Sequence, residues 1–123
     1  MSEFVGTWGF VKSSAYVEEA QRAAFDDLRL SGATMRCADI VETGQLVVLF
    51  KDERFLVDRS HFHVRPTPEL VWGDRVRMKD KAIEGLVVEI CWHYKRQRYF
   101  YHVTTLDGRQ LKKRYFPEEL EKL

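Results

Sequence analysis

From Thr34 onward the chain is written in short β-type runs, each closed by a turn signal. They read MRCADIVE, QLVVLFK, RFLVD and HFHVRP, then DRVRMK, LVVEICWHY, RYFYHVT and RQLKKRYF. Val, Ile, Phe and Tyr dominate these runs. Thr43-Gly44, Asp52-Glu53, Asp80-Lys81, Lys95 to Arg98 and Asp107-Gly108 separate most of them, a pattern of antiparallel strands joined by tight turns. Pro66 and Pro68 interrupt the series, so TPELVWGD marks the boundary between two β units. The two halves share a layout without a residue-by-residue match, which leaves an internal repeat open.

Before the first run, Ser13 and Ser14 are suitable N-caps and Glu18 and Glu19 suit the positive end of a helix dipole. Val17, Ala20, Ala24 and Leu28 recur at helical spacing, with Phe25 beside them and Ser31-Gly32 as a stop. The expectation is one amphipathic helix over residues 15–30. At the other end Pro117 is placed for the first turn of a short helix, PEELEKL, with Leu120 and Leu123 folding back toward Phe116. The predicted class is α+β, mainly β: an N-terminal amphipathic helix, an antiparallel meander, and a small barrel. Residues 1–70 hold the helix and meander and residues 71–123 the barrel, the two forming one compact body.

With 123 residues, 45% hydrophobic and 32% charged, the chain has the composition of a folded domain. Net charge is uneven: −3 over residues 1–70 and +4 over residues 71–123. A field of that size favours an anionic partner of the second half and falls short of a strongly basic nucleic-acid binder. Cys37 and Cys91, the two cysteines, sit inside apolar runs, which fits reduced thiols in a cytoplasmic setting. The opening MSEFVGTWGF carries an acid at Glu3 and no basic region before an apolar core, so no secretory signal is expected. No apolar run approaches the roughly 20 residues of a membrane helix, and no membrane association is expected.

The segment GDRVRMKDKAIEGLVVEICWHYKRQRYFYHVTTLDGRQLKKRYFPEEL, with its opening GDRV strand, aromatic third strand and Asp-Gly turn, resembles the small SH3-like or Tudor-like barrels over residues 73–120. The whole chain, with Trp8-Gly9 near its start, also resembles small uncharacterised bacterial proteins. The resemblance implies a fold and a binding module for protein tails, nucleic acids or partner subunits; it implies no activity.

The stretch WHYKRQRYFYH, residues 92–102, sets three cations between aromatic groups. A loop centred on Arg96 and Gln97 pairs Tyr94 with Tyr99, Trp92 with Tyr101 and Ile90 with Val103 on one face. A two-residue turn at Asp107-Gly108 then brings Arg114 beside Tyr101 and Lys112 beside Val103. Trp92 and Tyr101 would form a stacking platform flanked by Lys112 and Arg114, with Lys95, Arg96 and Arg98 at the rim, an arrangement suited to a nucleic acid strand. A three-residue turn instead brings Tyr115 beside Tyr101 and makes that face an aromatic core. One residue of slippage exchanges the two outcomes.

His61 and His63 share a strand face, and Cys91, His93 and His102 can approach on the second hairpin. These residue types bind soft metals, but the spacing matches no compact ligand pattern, so no metal and no cofactor is expected. A thiol nucleophile at Cys91 lacks an electropositive, accessible setting, and no phosphate loop is present, so no enzymatic activity is expected. Two partner classes remain: a nucleic acid on the basic aromatic face, or a protein on the acidic N-terminal half or a sheet edge.

Overall fold

The computed structural model describes residues 4–123. Glu3, which enters the argument against a leader, lies outside the described residues. The chain divides into two compact units, Met1–Thr67 and Pro68–Leu123. No helix among the described residues is long and apolar enough to cross a membrane.

The first unit is an antiparallel sheet of β1 (Trp8–Phe10), β2 (Met35–Ile40), β3 (Leu46–Phe50), β4 (Glu53–Val57) and β5 (His63–Arg65), in the order β4-β3-β2-β1-β5. Its core gathers Val11, Val17, Phe25, Leu30, Met35, Leu46, Val48, Phe55, Val57 and Phe62. Gly9 sits where β1 presses on β5: a Cβ there would stand 2.3 Å from the His63 carbonyl oxygen.

The expected helix over residues 15–30 is corrected. Two 3-10 turns, Ser14–Tyr16 and Glu19–Gln21, precede a single short helix, α1 (Arg22–Asp27). Ser13 does cap, its Oγ accepting from the Ala15 N–H, but it caps the first of these turns. Helix cannot continue through Val17 because the backbone there pairs with the edge of β4. Glu18 N–H donates to the Leu56 carbonyl and Asp58 N–H to the Tyr16 carbonyl, each at 2.8 Å. The β-branched Val17 side chain drops into the core, and Arg29, at φ +55°, ends α1. Phe25 and Leu30 are buried while Ala20, Ala24 and Leu28 face water, so the helical stripe was only half a buried face.

The second unit contains β6 (Arg75–Met78), β7 (Ile83–His93), β8 (Arg98–Thr105) and β9 (Leu120–Lys122), ordered β8-β7-β6-β9. On the far side of β8, residues 110–115 run alongside through isolated bridges, Thr104 with Gln110 and Tyr101 with Tyr115. Val76, Met78, Val87, Ile90, Tyr101, Val103, Tyr115 and Leu120 are buried. The predicted C-terminal helix is a 3-10 turn, Pro117–Glu119, capped by the Glu119 carboxylate accepting from the Phe116 N–H. Leu120 then turns extended and pairs with Met78. Both sheets are antiparallel and neither is closed into a barrel by the strand pairing. Each unit nonetheless runs through a strand, three extended segments, a 3-10 turn and a last strand that pairs with the first; two 3-10 turns and α1 follow β1 in the first unit, and in the second the third segment is residues 110–115, held by isolated bridges.

Candidate basic and aromatic face of the second unit

Two turns decide what the hairpin of β7 and β8 displays. The first is a four-residue loop, Tyr94 to Gln97, between the paired His93 and Arg98. Gln97 adopts φ +53°, its N–H reaches the His93 carbonyl at 2.8 Å, and Arg96 N–H donates to His93 Nδ1 at 3.2 Å. Trp92 therefore pairs with Tyr99 and Ile90 with Tyr101, two residues out of the expected register. A slip of two preserves faces, so Trp92, Ile90, Tyr99, Tyr101 and Val103 do share the inner side. A bulge between Val87 and Glu89 then turns Val87, in place of Val88, into the core.

The second turn has three residues, Leu106 to Gly108. Gly108 takes φ +90°, the Thr105 hydroxyl accepts from the Arg109 N–H at 3.0 Å and bonds the Asp107 carboxylate. Thr105 N–H donates to the Arg109 carbonyl at 2.9 Å, which fixes the loop length. Further along, Tyr101 and Tyr115 exchange backbone hydrogen bonds of 2.7 and 2.9 Å. Between Leu111, bonded to Val103, and Tyr115, the three cations Lys112, Lys113 and Arg114 lie opposite the single residue His102, and all three are exposed.

The expected platform is therefore corrected in its composition. Tyr101 is fully buried, and its hydroxyl oxygen accepts from the Leu70 N–H at 3.3 Å. Trp92 is half-buried and meets Tyr99 edge-on, with ring centroids 4.9 Å apart. Arg114 does not lie beside Tyr101. It crosses to the outer side, where its guanidinium covers the Phe100 ring at 5.1 Å.

That outer side is the basic and aromatic face. Phe100 is its centre, bordered by His93, His102 and Phe116 at centroid distances of about 6 Å. Arg96 and Arg98 each stand 4.8 Å from the Phe116 ring. Arg98 is also held by Glu118, whose carboxyl is lowered from its ordinary value mainly by that hydrogen bond. Lys113 turns to Asp80 and Glu119 at 3.0 and 3.1 Å, and the Lys113 ammonium holds the Asp80 carboxyl down. Among the described residues Lys95, Arg96, Lys112 and Arg114 have no carboxylate within 4 Å. All four are exposed.

Beside Phe100 the register brings Glu89, Cys91 and His102 together, their ligand atoms within 4.8 Å of one another. Cys91 and His102 were anticipated from sequence; Glu89 was not, because the expected register placed it opposite Thr104 in place of His102. Burial pushes the Cys91 thiol up to about 12. His61 and His63 do not share a site: His61 stacks on Tyr16 at 3.8 Å and contacts Asp58, whereas His63 stacks on Phe10 at 5.0 Å.

The first unit holds a shallow cleft of about 600 Å³, lined among others by Tyr16, Glu18, Arg22, Asp58 and Arg59. Arg22 there is spent on backbone, its Nε donating to the Val17 carbonyl at 3.0 Å. The cleft carries both charges. No curated protein matches the sequence. Residues 6–121 match the model of the family of unknown function DUF6960, and the chain belongs to that family.

Proposed function

We propose that the chain is a non-enzymatic binding module that holds a nucleic acid strand on the outer face of the β7–β8 hairpin. The observation that carries this reading is the pair of exposed arginines, Arg96 and Arg114, spread over Phe116 and Phe100 with no carboxylate partner among the described residues. A guanidinium held about 5 Å from a phenyl ring keeps N–H groups for a base or a phosphate. Lys95 and Lys112 add charge on the same unit. The aromatic rings act from beneath as supports, so affinity comes from the cations and is tolerant of sequence.

The likeness to SH3-like and Tudor-like folds belongs to this reading. It is supported by the strand succession of each unit, with a 3-10 turn before the returning strand. A cytoplasmic, reducing setting also belongs to it, supported by two free thiols. A second reading, a protein partner on a sheet edge, draws on β5, an end strand whose Val64 is 52% exposed.

Fluorescence anisotropy of short labelled oligonucleotides, single-stranded and duplex, separates the two. Binding at low salt should weaken on the order of tenfold in Arg114→Ala and in Arg96→Ala, each lowering the salt slope by about one. No binding of either oligonucleotide at low salt sinks the nucleic-acid reading. A stoichiometric protein partner lost on Val64→Lys would favour the second.

A further inference from the structure

We propose that Glu89, Cys91 and His102 form a three-ligand site for a divalent transition-metal cation of the zinc class. The proposal is independent of the nucleic-acid reading. Glu89 and His102 are direct partners across the β7–β8 ladder, and Cys91 lies two residues further along β7 on the same outer side. A residue, its cross-strand partner and its i+2 neighbour make a compact triangle on a sheet. Here Cys91 Sγ lies 4.0 Å from Glu89 Oε2, and all three donor atoms fall within 4.8 Å of one another.

Donors around a tetrahedral zinc, each about 2.0–2.3 Å from the ion, stand roughly 3.3–3.8 Å apart. Side-chain rotations that draw the donors together by about an ångström complete that geometry with no change in the backbone. The platform beneath is rigid: Ile90, Tyr101 and Val103 are buried on the opposite side of the same strands. The bulge between Val87 and Glu89 sits at the edge of the site, where it sets the direction of Glu89.

The donors are also available. Glu89 has no cationic partner within 4 Å among the described residues, and its one polar contact is Cys91. His102 touches the Phe100 ring and makes no hydrogen bond through either nitrogen among the described residues. His93, on the same side, is already occupied as the acceptor of the Arg96 N–H and is left out of the set.

A sulfur, a nitrogen and a carboxylate oxygen select zinc-class ions over magnesium or calcium, which require oxygen donors. On binding, the Cys91 thiol passes its proton to solvent as the metal–sulfur bond forms. The thiolate and the carboxylate then neutralise the two charges of the ion, so the nearby Arg114 guanidinium meets a neutral centre. Three protein ligands leave a fourth position for water, on the side where Glu89 is exposed.

The test is a titration of the full chain, kept reduced with a non-coordinating phosphine, with cobalt(II) followed by zinc(II) competition against a chromophoric chelator. One equivalent of cobalt should produce a thiolate-to-metal charge-transfer band, absent in Cys91→Ser. Zinc affinity should fall at least about tenfold in His102→Ala and in Glu89→Gln. Glu89 is exposed and Gln keeps its shape, so that variant stays folded even if Cys91→Ser does not. The double variant His61→Ala, His63→Ala should bind as tightly as the wild type. A missing charge-transfer band in the wild type overturns the site, as does zinc affinity that follows His61 and His63 while ignoring Glu89.

Discussion

At the scale of single residues, the hairpin separates buried supports from exposed cations. The Tyr101 hydroxyl accepts the buried Leu70 N–H, so Tyr101→Phe leaves that donor without a partner. We expect a loss of about 1–2 kcal/mol in chemical denaturation with oligonucleotide affinity unchanged. Arg98 and Arg114 make a second contrast. Arg98 already serves Glu118, whereas Arg114 lies over the Phe100 ring with no carboxylate within 4 Å among the described residues, so Arg98→Ala should weaken oligonucleotide binding less than Arg114→Ala in the same anisotropy assay. Of the tip cations Lys95, Arg96 and Arg98, all expected to be exposed in any register, Lys95 and Arg96 are, whereas Arg98 opens β8 and is half-buried. The partner of Arg114 was not legible. It depends on a slip of two between Leu111 and Tyr115 that leaves Lys112 to Arg114 opposite one residue, and nothing in the spacing of RQLKKRYF reveals where a strand slips.

At the scale of elements, strand pairing overrode helix patterning. The stripe from Val17 to Leu28 has helical spacing, yet hydrogen bonds to the β4 edge hold Val17 extended and confine the helix to Arg22–Asp27. Edge protection continues at Gln21, whose Oε1 accepts from the Leu56 N–H at 2.7 Å. Gln21→Ala should cost about 1 kcal/mol and accelerate amide exchange at Leu56 above its β4 neighbours. Unchanged exchange there would mean the cap is idle. Gly85 on β7 is required by close approach: a Cβ would stand 2.5 Å from the Thr104 carbonyl oxygen and 2.7 Å from Val103 Cγ1. Gly85→Ala should therefore destabilise the second unit by about 1–3 kcal/mol, read from denaturant midpoints. Most strands were readable from apolar runs and turn residues. The turns were harder, because Asp107-Gly108 serves a two-residue loop and, with Gly108 alone at positive φ, a three-residue loop equally well.

At the scale of the whole molecule, both units order their extended segments alike, with bridged residues 110–115 in place of a strand in the second, although the two halves show no residue-by-residue match. Apolar alternation and turn placement specify such a succession, and many side-chain sets satisfy both. Acid stability is a property of the whole chain. Asp58, Asp80, Asp107 and Glu118 all lie below their ordinary values of 3.8 and 4.5, held there chiefly by Ser60, Lys113, Thr105 and Arg98 respectively. Carboxyls depressed in the fold stabilise it fully above those ordinary values and lose that contribution as pH falls through the lower folded ones. The thermal midpoint should thus be level above about pH 5 and decline below about pH 4. All four groups are exposed, so the Lys113 and Arg98 share of that decline should shrink in high salt. Amide chemical-shift mapping during a single-stranded oligonucleotide titration at low salt reads whether the outer face of the β7–β8 hairpin holds a nucleic acid strand. The largest shifts should fall at residues 95–102 and 112–116. Shifts confined to residues 4–67, or none at saturating oligonucleotide, would contradict it.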